Sequence, residues 1–252
     1  MSQTHAVLVT GGARRLGAAM ALACASVGMD VAIHYRTEGP DVTSMLASLR
    51  DLGVQAVAIA ADLADPTQVP GVVPAAAAAL GRPLTALINS ASIFEWDDIA
   101  TLSADRLLAH FLPNSVAPAL LSQALLAQLP EGVTGAIVNI LDQKLASPHG
   151  DHLSYTLSKY ALMGLGEVLA RSGAPRVRVN AIAPGYVLPA PGQAQAEFER
   201  LHAQNPLRIG PGADDIAKAC LYLLQSTVTT GQTLYVDAGL RFAGLEKDIS
   251  FY

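Results

Sequence analysis

The 252-residue chain has few charged residues and few cysteines, and both shortages argue against whole classes of function. Charged residues make up 15% of it and the formal net charge is −5, with no run of lysines and arginines that could bind a phosphate backbone. The two cysteines, Cys24 and Cys220, are far apart and have no nearby Cys or His at metal-ligand spacing. We therefore expect no nucleic-acid partner, no disulfide framework and no metal, and two small buried cysteines.

The sequence also lacks a long apolar run, and we expect no secretory leader. The most apolar stretch, AAMALACASVGM, falls short of the roughly 18 residues that suggest a membrane span. The N-terminus enters an apolar pattern in HAVLVTGG without the basic segment and cleavage site of a secretory signal. We expect a soluble cytoplasmic protein without a membrane partner, and its 51% apolar content is ample for a buried core.

The order of apolar segments predicts the fold class. Short runs rich in β-branched residues alternate with longer alanine- and leucine-rich segments of helical period, and runs such as AVLVT and GAIVNI are apolar throughout, as buried parallel strands are. The pattern predicts one α/β domain over residues 1–252, with a doubly wound, mostly parallel sheet and helices on both faces. The predicted strands are 6–10, 30–35, 55–60, 85–89, 135–140, 176–182 and 233–236. The predicted helices are 15–28, 40–52, 67–80, 103–129, 153–172 and 213–225.

A glycine turn follows the first predicted strand, in VLVTGGARRLGAAMA. Gly11 and Gly12 open the turn, Arg15 stands where a third glycine is expected, and Gly17 closes it. A turn between a strand and a helix can present backbone N–H groups to a pyrophosphate. Because the G-x-G-x-x-G spacing is absent, an ordinary strand-to-helix turn remains the alternative.

The end of the second predicted strand, IHYRT, bears on the choice of cofactor. An acidic residue here usually binds the ribose 2′-hydroxyl of NAD, whereas an arginine accommodates a 2′-phosphate. The acid is absent, Arg36 is present, and Arg14 in the turn can add a second guanidinium. The sequence favours NADPH over NADH, unless both arginines are simply solvated surface residues.

Four motifs in order then carry a resemblance. They are the glycine turn, Asn89 in LINSAS, Tyr155-x-x-x-Lys159, and NAIAPG at residues 180–185. The chain resembles the short-chain dehydrogenase/reductase family over nearly its whole length. The resemblance implies a single-domain Rossmann fold, hydride transfer between a nicotinamide and a carbonyl, alcohol or imine, and a dimer or tetramer; we expect a homotetramer.

The departures from the family pattern resemble one branch. Asp142 lies thirteen residues before Tyr155, where most of the family has serine, and TGGARRLG, HYR and NSASIF complete the likeness. These features are similar to the pteridine reductase branch, which includes bacterial dihydromonapterin and dihydrofolate reductases. The resemblance implies reduction of C=N bonds of a pterin or folate with NADPH. Two further departures are Ser90, which replaces the second asparagine of the usual NNA, and Pro189, where many members carry threonine.

The resemblance also implies a set of site residues, position by position. The catalytic group is Asp142, Tyr155, Lys159 and Asn114, the last helping to hold a proton-relay water. The implied cofactor-binding residues are Gly11, Arg14, Arg15, Leu16, Gly17, His34, Tyr35, Arg36, Asp62, Leu63, Asn89, Ser90, Ala91, Tyr155, Lys159, Pro184, Gly185 and Val187. The implied substrate-binding residues are Arg15, Ser92, Phe94, Asp142, Tyr155, Tyr186 and Leu188.

The catalytic group suggests a division of labour. Residues four apart share a helical face, so Lys159 can approach Tyr155, and we expect its ammonium to lower the pKa of the phenol. We expect an apolar pocket to keep Asp142 protonated, so that it can protonate the ring nitrogen beside the carbon that receives hydride. Asp142 would serve one reduction and the Tyr155–Lys159 pair the other. A turn cap is the alternative for Asp142, and simple core packing is the alternative for Phe94.

Two segments near the C-terminus are predicted to border the site. The loop-rich stretch near 186–210 is a candidate substrate lid, with Tyr186, Leu188 and Pro191 as candidate walls. The apolar tail LRFAGLEKDISFY is expected to pack on a neighbouring subunit, and His149 and His152 are expected to be solvent-exposed.

Two other functions stay open at this point. The first is a short-chain reductase of a ketone or an acyl-thioester, in which Asp142 has a different role. The second is a non-catalytic dinucleotide-binding sensor, although such a protein would not need Tyr155 and Lys159.

Overall fold

The structure, a computed structural model, describes residues 6–189 and 192–252. Its seven strands are β1 Ala6–Thr10, β2 Asp30–Tyr35, β3 Ala56–Ala60, β4 Ala86–Asn89, β5 Gly135–Ile140, β6 Val177–Pro184 and β7 Thr233–Val236. Its eight α-helices over the described residues are α1 Arg15–Ser26, α2 Pro40–Asp51, α3 Val69–Leu80, α4 Ala104–Phe111, α5 Ala117–Gln128, α6 Leu153–Ser172, α7 Gln195–His202 and α8 Ala213–Gln225.

The strands form one seven-stranded sheet in the order β3-β2-β1-β4-β5-β6-β7, and every neighbouring pair is parallel. Residues of β1, β4 and β5 are buried, which explains their continuous apolar sequences. Helices cover both faces, so the predicted α/β class and doubly wound parallel sheet are confirmed. The strand order reverses between β1 and β4, where open α/β sheets form a crevice at the carboxyl ends of their strands.

Two apolar clusters pack on the two faces of the sheet. On one face α1 and α8 meet, with Cys24 and Cys220 buried between them as predicted. On the other face α3 and α5 contribute Val73 and Leu121. Burial between α1 and α8 raises the pKa of the Cys24 thiol to about 12, so the side chain behaves as a small apolar group.

The predicted helix over 103–129 is wrong in one respect, because the chain forms two α-helices joined by a π-helical segment, Leu112–Val116. Pro113 and Pro118 lack the backbone N–H that a regular helix would use, so the hydrogen-bond pattern changes at this point. Such local widening is frequent at functional sites. Helix α7, inside the segment predicted to be loop-rich, is a second difference.

Within residues 6–189 and 192–252, no helix is both long and apolar enough to cross a membrane.

Candidate active site

A cleft of about 740 Å³ opens at the carboxyl ends of β1, β4, β5 and β6. Most residues predicted to bind cofactor or substrate line it: Gly11, Arg14, Arg15, Leu16, Gly17, His34, Arg36, Asp62, Leu63, Ser90, Ala91, Ser92, Phe94, Asp142, Tyr155, Lys159, Pro184, Gly185, Tyr186, Val187 and Leu188. Three predicted residues are not on its wall: Tyr35, Asn89 and Asn114. The candidate wall residue Pro191 lies outside the described residues.

The glycine turn after β1 needs its glycines for steric reasons. A Cβ atom on Gly17 would lie 2.2 Å from the carbonyl oxygen of Gly11, closer than any real contact allows. Gly11 has a φ of +63°, in the left-handed region that favours glycine. Helix α1 begins directly after the turn without a side-chain cap, so the turn places uncapped backbone N–H groups at the cleft.

His34, at the end of β2, fixes this turn from below. Its Nε2 donates to the carbonyl of Ala61 at 3.0 Å, so its Nδ1 is the acceptor for the backbone N–H of Gly11 at 3.3 Å. Burial lowers the pKa of the imidazole, although the Ala61 hydrogen bond and the charge of Asp62 oppose that shift. The neutral ring that results is the form that can accept from Gly11, so His34 acts as a support for the turn.

Arg15 stands where a glycine is expected, and its backbone has the left-handed conformation that favours glycine. Its φ is +51°, a conformation that costs a non-glycine residue about 1 kcal/mol or more. Its guanidinium reaches across the cleft and donates to the carbonyl of Pro189 at 3.4 Å. A strained arginine with its charge at the cleft indicates a role for the side chain in binding.

Arg14 and Arg36 lie at the mouth of the cleft near the end of β2. The Nε of Arg14 lies 2.5 Å from Oδ2 of Asp41, in the first turn of α2, and both side chains are largely exposed. No ion pair among the described residues includes Arg36, which is exposed. The arrangement offers two guanidinium groups to a phosphate at this edge of the sheet.

Thr10 was missed by the sequence reasoning. Its buried hydroxyl accepts hydrogen bonds from the backbone N–H groups of Ser90 and Ala91, at 2.9 and 3.0 Å, and donates to the carbonyl of Ile88. The side chain therefore ties the end of β1 to the loop after β4, which sets the floor of the crevice. A threonine at the end of a buried strand gives no sequence signal for this role, because only the pairing of β1 with β4 brings the groups together.

Asp142 and Tyr155 form the centre of the site. Asp142 caps the 3₁₀ turn Gln143–Ala146 through Oδ1, which accepts from the backbone N–H of Lys144 at 2.8 Å. Its Oδ2 accepts from the hydroxyl of Tyr155, also at 2.8 Å. The cap, given above as the alternative for Asp142, and the contact with Tyr155 therefore exist together, one on each carboxylate oxygen.

Burial raises the pKa of Asp142 and outweighs the opposing hydrogen bonds from Lys144 and Tyr155. Two nearby charges act on this pKa in opposite directions: the charge of Asp248 raises it, and the charge of Lys159 lowers it. A raised pKa is the direction predicted from the sequence for an acid that keeps its proton. Oδ1 is used by the cap, and Oδ2 is the oxygen that faces Tyr155.

The predicted lowering of the Tyr155 pKa is wrong for this arrangement. Burial raises it well above its ordinary value, and the charge and hydrogen bond of Asp142 add to that effect. Lys159 is too distant to reverse it, because its Nζ donates to the carbonyl of Ile140 at 2.8 Å and lies 5.6 Å from the centre of the Tyr155 ring. Burial lowers the pKa of Lys159 itself to about 8, against the charge of Asp142.

Asn114 lies behind the cleft in the π-helical segment, fully buried. Its Oδ1 accepts from the backbone N–H of Ile93 at 2.8 Å, and its Nδ2 donates to the carbonyl of Ile93 and to the hydroxyl of Ser158. The side chain thus holds the loop after β4 against α6. Asn114 thus lies beside α6, the helix that carries Tyr155 and Lys159, with its side-chain groups used in these contacts.

Phe94 stands at the mouth of the cleft, and 48% of its surface is exposed, so simple core packing does not describe it. Its ring meets the Tyr155 ring edge-on, with centres 4.6 Å apart. It also stacks on His152, with ring centres 4.0 Å apart. A half-exposed aromatic ring beside Tyr155 can stack a flat ring.

The prediction that His149 and His152 are solvent-exposed is wrong. His152 is buried and its Nδ1 donates to the carbonyl of Glu95 at 3.0 Å, which fixes the loop that carries Phe94. The His149 side chain is 5% exposed and pairs with Asp151. In sequence the two histidines lie in a segment typical of a surface loop. In the structure the C-terminal tail packs over this loop, through Phe251 on His152 and Asp248 on Asp151.

Three side chains of the predicted lid, all among its described residues, form an aromatic cluster on one side of the cleft. The rings of Tyr186, Phe198 and His202 are in contact, and the imidazole Nε2 donates to the carbonyl of Tyr186 at 2.7 Å. Phe198 belongs to α7 and is buried. The cluster ties the helix to the cleft wall at Tyr186.

Several cleft residues were not predicted: Ile93, Pro113, Ile140, Leu141, Gln143, Leu240, Asp248, Ile249 and Ser250. Leu240, Asp248, Ile249 and Ser250 belong to the tail, so the tail lines the cleft of its own chain. The expected packing of the tail on a neighbouring subunit stays a prediction.

The cleft fits a phosphorylated dinucleotide in shape and charge. The glycine turn brings backbone to the wall, the N-terminus of α1 is uncapped, and guanidinium groups stand at the β2 edge. Among the described residues, no three His, Cys, Asp or Glu side chains are placed together to hold a metal ion.

Comparisons with known proteins agree with this geometry. Residues 11–241 match the family described as enoyl-(acyl carrier protein) reductase. FolM alternative dihydrofolate reductase 1 from Brucella canis, solved in complex with NADP, is 35% identical with a TM-score of 0.89, and 94% of each chain is covered.

Two curated relatives point to different substrates. Dihydromonapterin reductase of Enterobacter sp. (strain 638) is 31% identical over 239 residues, 92% of this chain and 95% of the relative. The 3-oxoacyl-[acyl-carrier-protein] reductase FabG of Staphylococcus aureus (strain Mu50 / ATCC 700699) is 27% identical over 256 residues, 95% of this chain and 99% of the relative. The family match covers most of the chain, and the sheet order, the glycine turn and the Tyr155–Lys159 pair agree with it. The chain belongs to the short-chain dehydrogenase/reductase family of oxidoreductases.

Proposed function

We propose that this chain is an NADPH-dependent reductase of the C=N bonds of a dihydropterin or dihydrofolate. The observation that carries the proposal is the pair formed by Asp142 and Tyr155. A carboxyl group with a raised pKa stands 2.8 Å from a phenol inside the cleft, where most of the family has a serine. A neutral carboxylic acid can protonate a ring nitrogen, which a serine hydroxyl does far less readily.

NADPH is the proposed cofactor, and the residues for it are those of the glycine turn and its surroundings. Gly11, Gly17 and the N-terminus of α1 would hold the pyrophosphate, while Arg14 and Arg36 would hold the 2′-phosphate. Two solved relatives, one from Brucella canis and one from Brucella suis, carry NADP, which supports the choice. When bound, the nicotinamide supplies the hydride that reduces the substrate.

The protein groups supply the protons. Asp142, as the protonated acid, donates its proton to the ring nitrogen beside the carbon being reduced. The resulting carboxylate lies near Lys159, whose charge stabilises it. Tyr155 keeps its hydroxyl proton at neutral pH because its pKa is raised, and with Lys159 it serves the second reduction if the substrate undergoes two.

The walls of the cleft suit a flat heterocycle. The exposed face of Phe94 would stack the pterin against the nicotinamide, and Ser92 next to it offers a hydroxyl to ring polar atoms. Tyr186 and Leu188 close the opposite side, on the segment proposed as a substrate lid. Arg15, already in a strained conformation, would contact both the cofactor phosphate and the substrate.

The experiment that tests the proposal is NADPH oxidation by the purified protein with dihydrobiopterin, dihydromonapterin and dihydrofolate. A simple ketone and a 3-oxoacyl thioester are run beside them, because the relative from Staphylococcus aureus makes a carbonyl substrate the second candidate. We expect the unsubstituted protein to reduce a dihydropterin, and we expect the rate to fall by about 100-fold or more in Tyr155→Phe and in Asp142→Asn. Turnover of the ketone or thioester without any dihydropterin turnover would replace the proposal with the carbonyl reductase.

The same family membership leads us to propose a homotetramer. Leu108 on α4 and Leu157 and Val168 on α6 are 56%, 40% and 65% exposed, and the two helices are neighbours. Light scattering of the purified protein tests this directly, and a monomer at micromolar concentration would contradict it.

A further inference from the structure

The last eight residues, 245–252, here called the C-terminal segment, form part of the wall of the chain's own cleft. Asp248, Ile249 and Ser250 line it together with Asp142 and Tyr155. The segment ends in a 3₁₀ turn, Ile249–Phe251, and Ile249 is 4% exposed in a cluster with Leu201 and Leu240. The segment is therefore anchored by apolar packing and does not simply lie on the surface.

A buried charge cluster also holds the C-terminal segment. The backbone N–H of Asp248 donates to Oδ2 of Asp151 at 2.7 Å. The other oxygen of Asp151 receives Lys144, at 2.7 Å, and His149. Lys144 follows Asp142 by two residues, so the same short loop fixes the catalytic carboxyl group and the C-terminal segment.

An aromatic stack makes a third contact between the segment and the site. Phe251 stacks on His152, with ring centres 6.1 Å apart, and His152 stacks in turn on Phe94. Phe94 meets the ring of Tyr155. The position of the segment is thus coupled to the aromatic face that would hold a pterin.

Asp248 is the charged residue that this arrangement brings to the cleft. Its Oδ1 accepts from the backbone N–H and the hydroxyl of Ser250, at 2.9 and 2.5 Å. No hydrogen bond among the described residues uses its Oδ2. Asp248 lines the cleft with Asp142 and Tyr155, and its charge raises the pKa of both residues.

We propose that Asp248 is a specificity-determining residue, which accepts a hydrogen bond from a hydroxyl or amino donor on the substrate side chain and disfavours a side chain with a negative charge. This inference rests on the proposed reductase function and names its substrate class as neutral, hydroxylated dihydropterins. Lys144 does not cancel this charge for a substrate, because it is already paired with Asp151. A carboxylate on the substrate would therefore meet a like charge at close range.

The test uses two substrates of nearly equal size, hydroxymethyl-dihydropterin, which is neutral, and carboxy-dihydropterin, which carries a carboxylate on the same ring carbon. The kcat/KM of each is measured for the unsubstituted protein and for Asp248→Asn, which keeps the acceptor for Ser250. Glu246→Gln is the matched control, because it removes one negative charge from the same segment at an exposed residue that does not line the cleft. Comparing ratios between variants cancels the intrinsic reactivity of the two substrates.

We expect Asp248→Asn to raise the ratio of carboxy- to hydroxymethyl-dihydropterin kcat/KM by about tenfold, and Glu246→Gln to leave it unchanged within about twofold. Fluorescence of Trp96, the chain's one tryptophan, gives the same comparison as equilibrium binding of each pterin and does not depend on turnover. Equal ratios in all three proteins, with turnover intact, would overturn the role of Asp248 and leave the reductase function standing. If the unsubstituted protein neither binds nor reduces any dihydropterin, both the function and this inference fall.

Discussion

Replacement of Asp142 by asparagine isolates the acid from every other role of the residue. An asparagine is isosteric, its carbonyl oxygen can take the backbone N–H of Lys144, and its amide can still meet the hydroxyl of Tyr155. What is lost is the transferable proton. A positioned general acid contributes about 100-fold to 10,000-fold, so we expect kcat for dihydropterin reduction to fall by that factor, equivalent to about 3–5 kcal/mol.

The stability of the same variant gives an independent check. Because the pKa of Asp142 is raised in the folded protein, its contribution to stability is complete below the ordinary aspartate pKa and is lost as pH rises through the raised value. At neutral pH Asp142→Asn should therefore be at least as stable as the unsubstituted protein in urea unfolding. Asp142→Ala removes both acceptors and should cost about 1–3 kcal/mol.

The assay compares kcat and kcat/KM for dihydropterin reduction across a pH series in the two variants and the unsubstituted protein. The unsubstituted protein should lose activity as pH rises through the raised pKa of Asp142, and Asp142→Asn should lack that limb. If Asp142→Asn kept activity within about threefold at neutral pH, the reasoning would be refuted, since no acid would be needed at that position.

Three further predictions concern the cofactor side of the cleft and Lys159. Arg36→Ala should raise the KM for NADPH about tenfold or more and leave the KM for NADH unchanged, because only NADPH has the 2′-phosphate; equal effects on both would contradict the assignment. Arg15→Gly should raise the free energy of unfolding by about 1 kcal/mol, since Arg15 has a φ of +51°, while weakening NADPH binding measured by calorimetry; a stability loss would argue against strain. The pKa of Lys159 is lowered to about 8, so the unsubstituted protein should gain stability relative to Lys159→Met as pH rises from about 8 to about 10.5, by up to about 1.4 kcal/mol per pH unit, in urea unfolding. A constant difference in the free energy of unfolding between the two proteins across that range would show that the pKa of Lys159 is not lowered in the folded protein.

The sequence predicts the sheet well because its strands are buried on both faces and therefore read as continuous apolar runs. All seven predicted strands overlap the observed ones, and β1, β2, β5 and β7 match in both bounds. The break at Leu112–Val116 could not be read from helical periodicity, which continues through it. Helix α7 was missed because residues 195–202 are mostly polar and follow a loop.

The candidate site was predictable where motifs are local and less so where it depends on contacts across the chain. The glycine turn and the Tyr155–Lys159 spacing are local, and the structure brings them to one cleft. The pKa of Tyr155 depends on burial and on a carboxylate thirteen residues away, and the expected direction was wrong for that reason. The roles of Thr10 and Asp248 require knowledge of which distant segments meet.

The most direct test of the account is the fate of the transferred hydrogen. NADPH carrying deuterium at the transferable position of the nicotinamide is incubated with the protein and a dihydropterin, and the pterin product is analysed by mass spectrometry. The proposed reduction should place one deuterium per reduced C=N bond on a ring carbon of the pterin, and Asp142→Asn should give no labelled product on the same timescale. Consumption of the NADPH without deuterium in the pterin, or labelled product formed equally fast by Asp142→Asn, would contradict the proposed function.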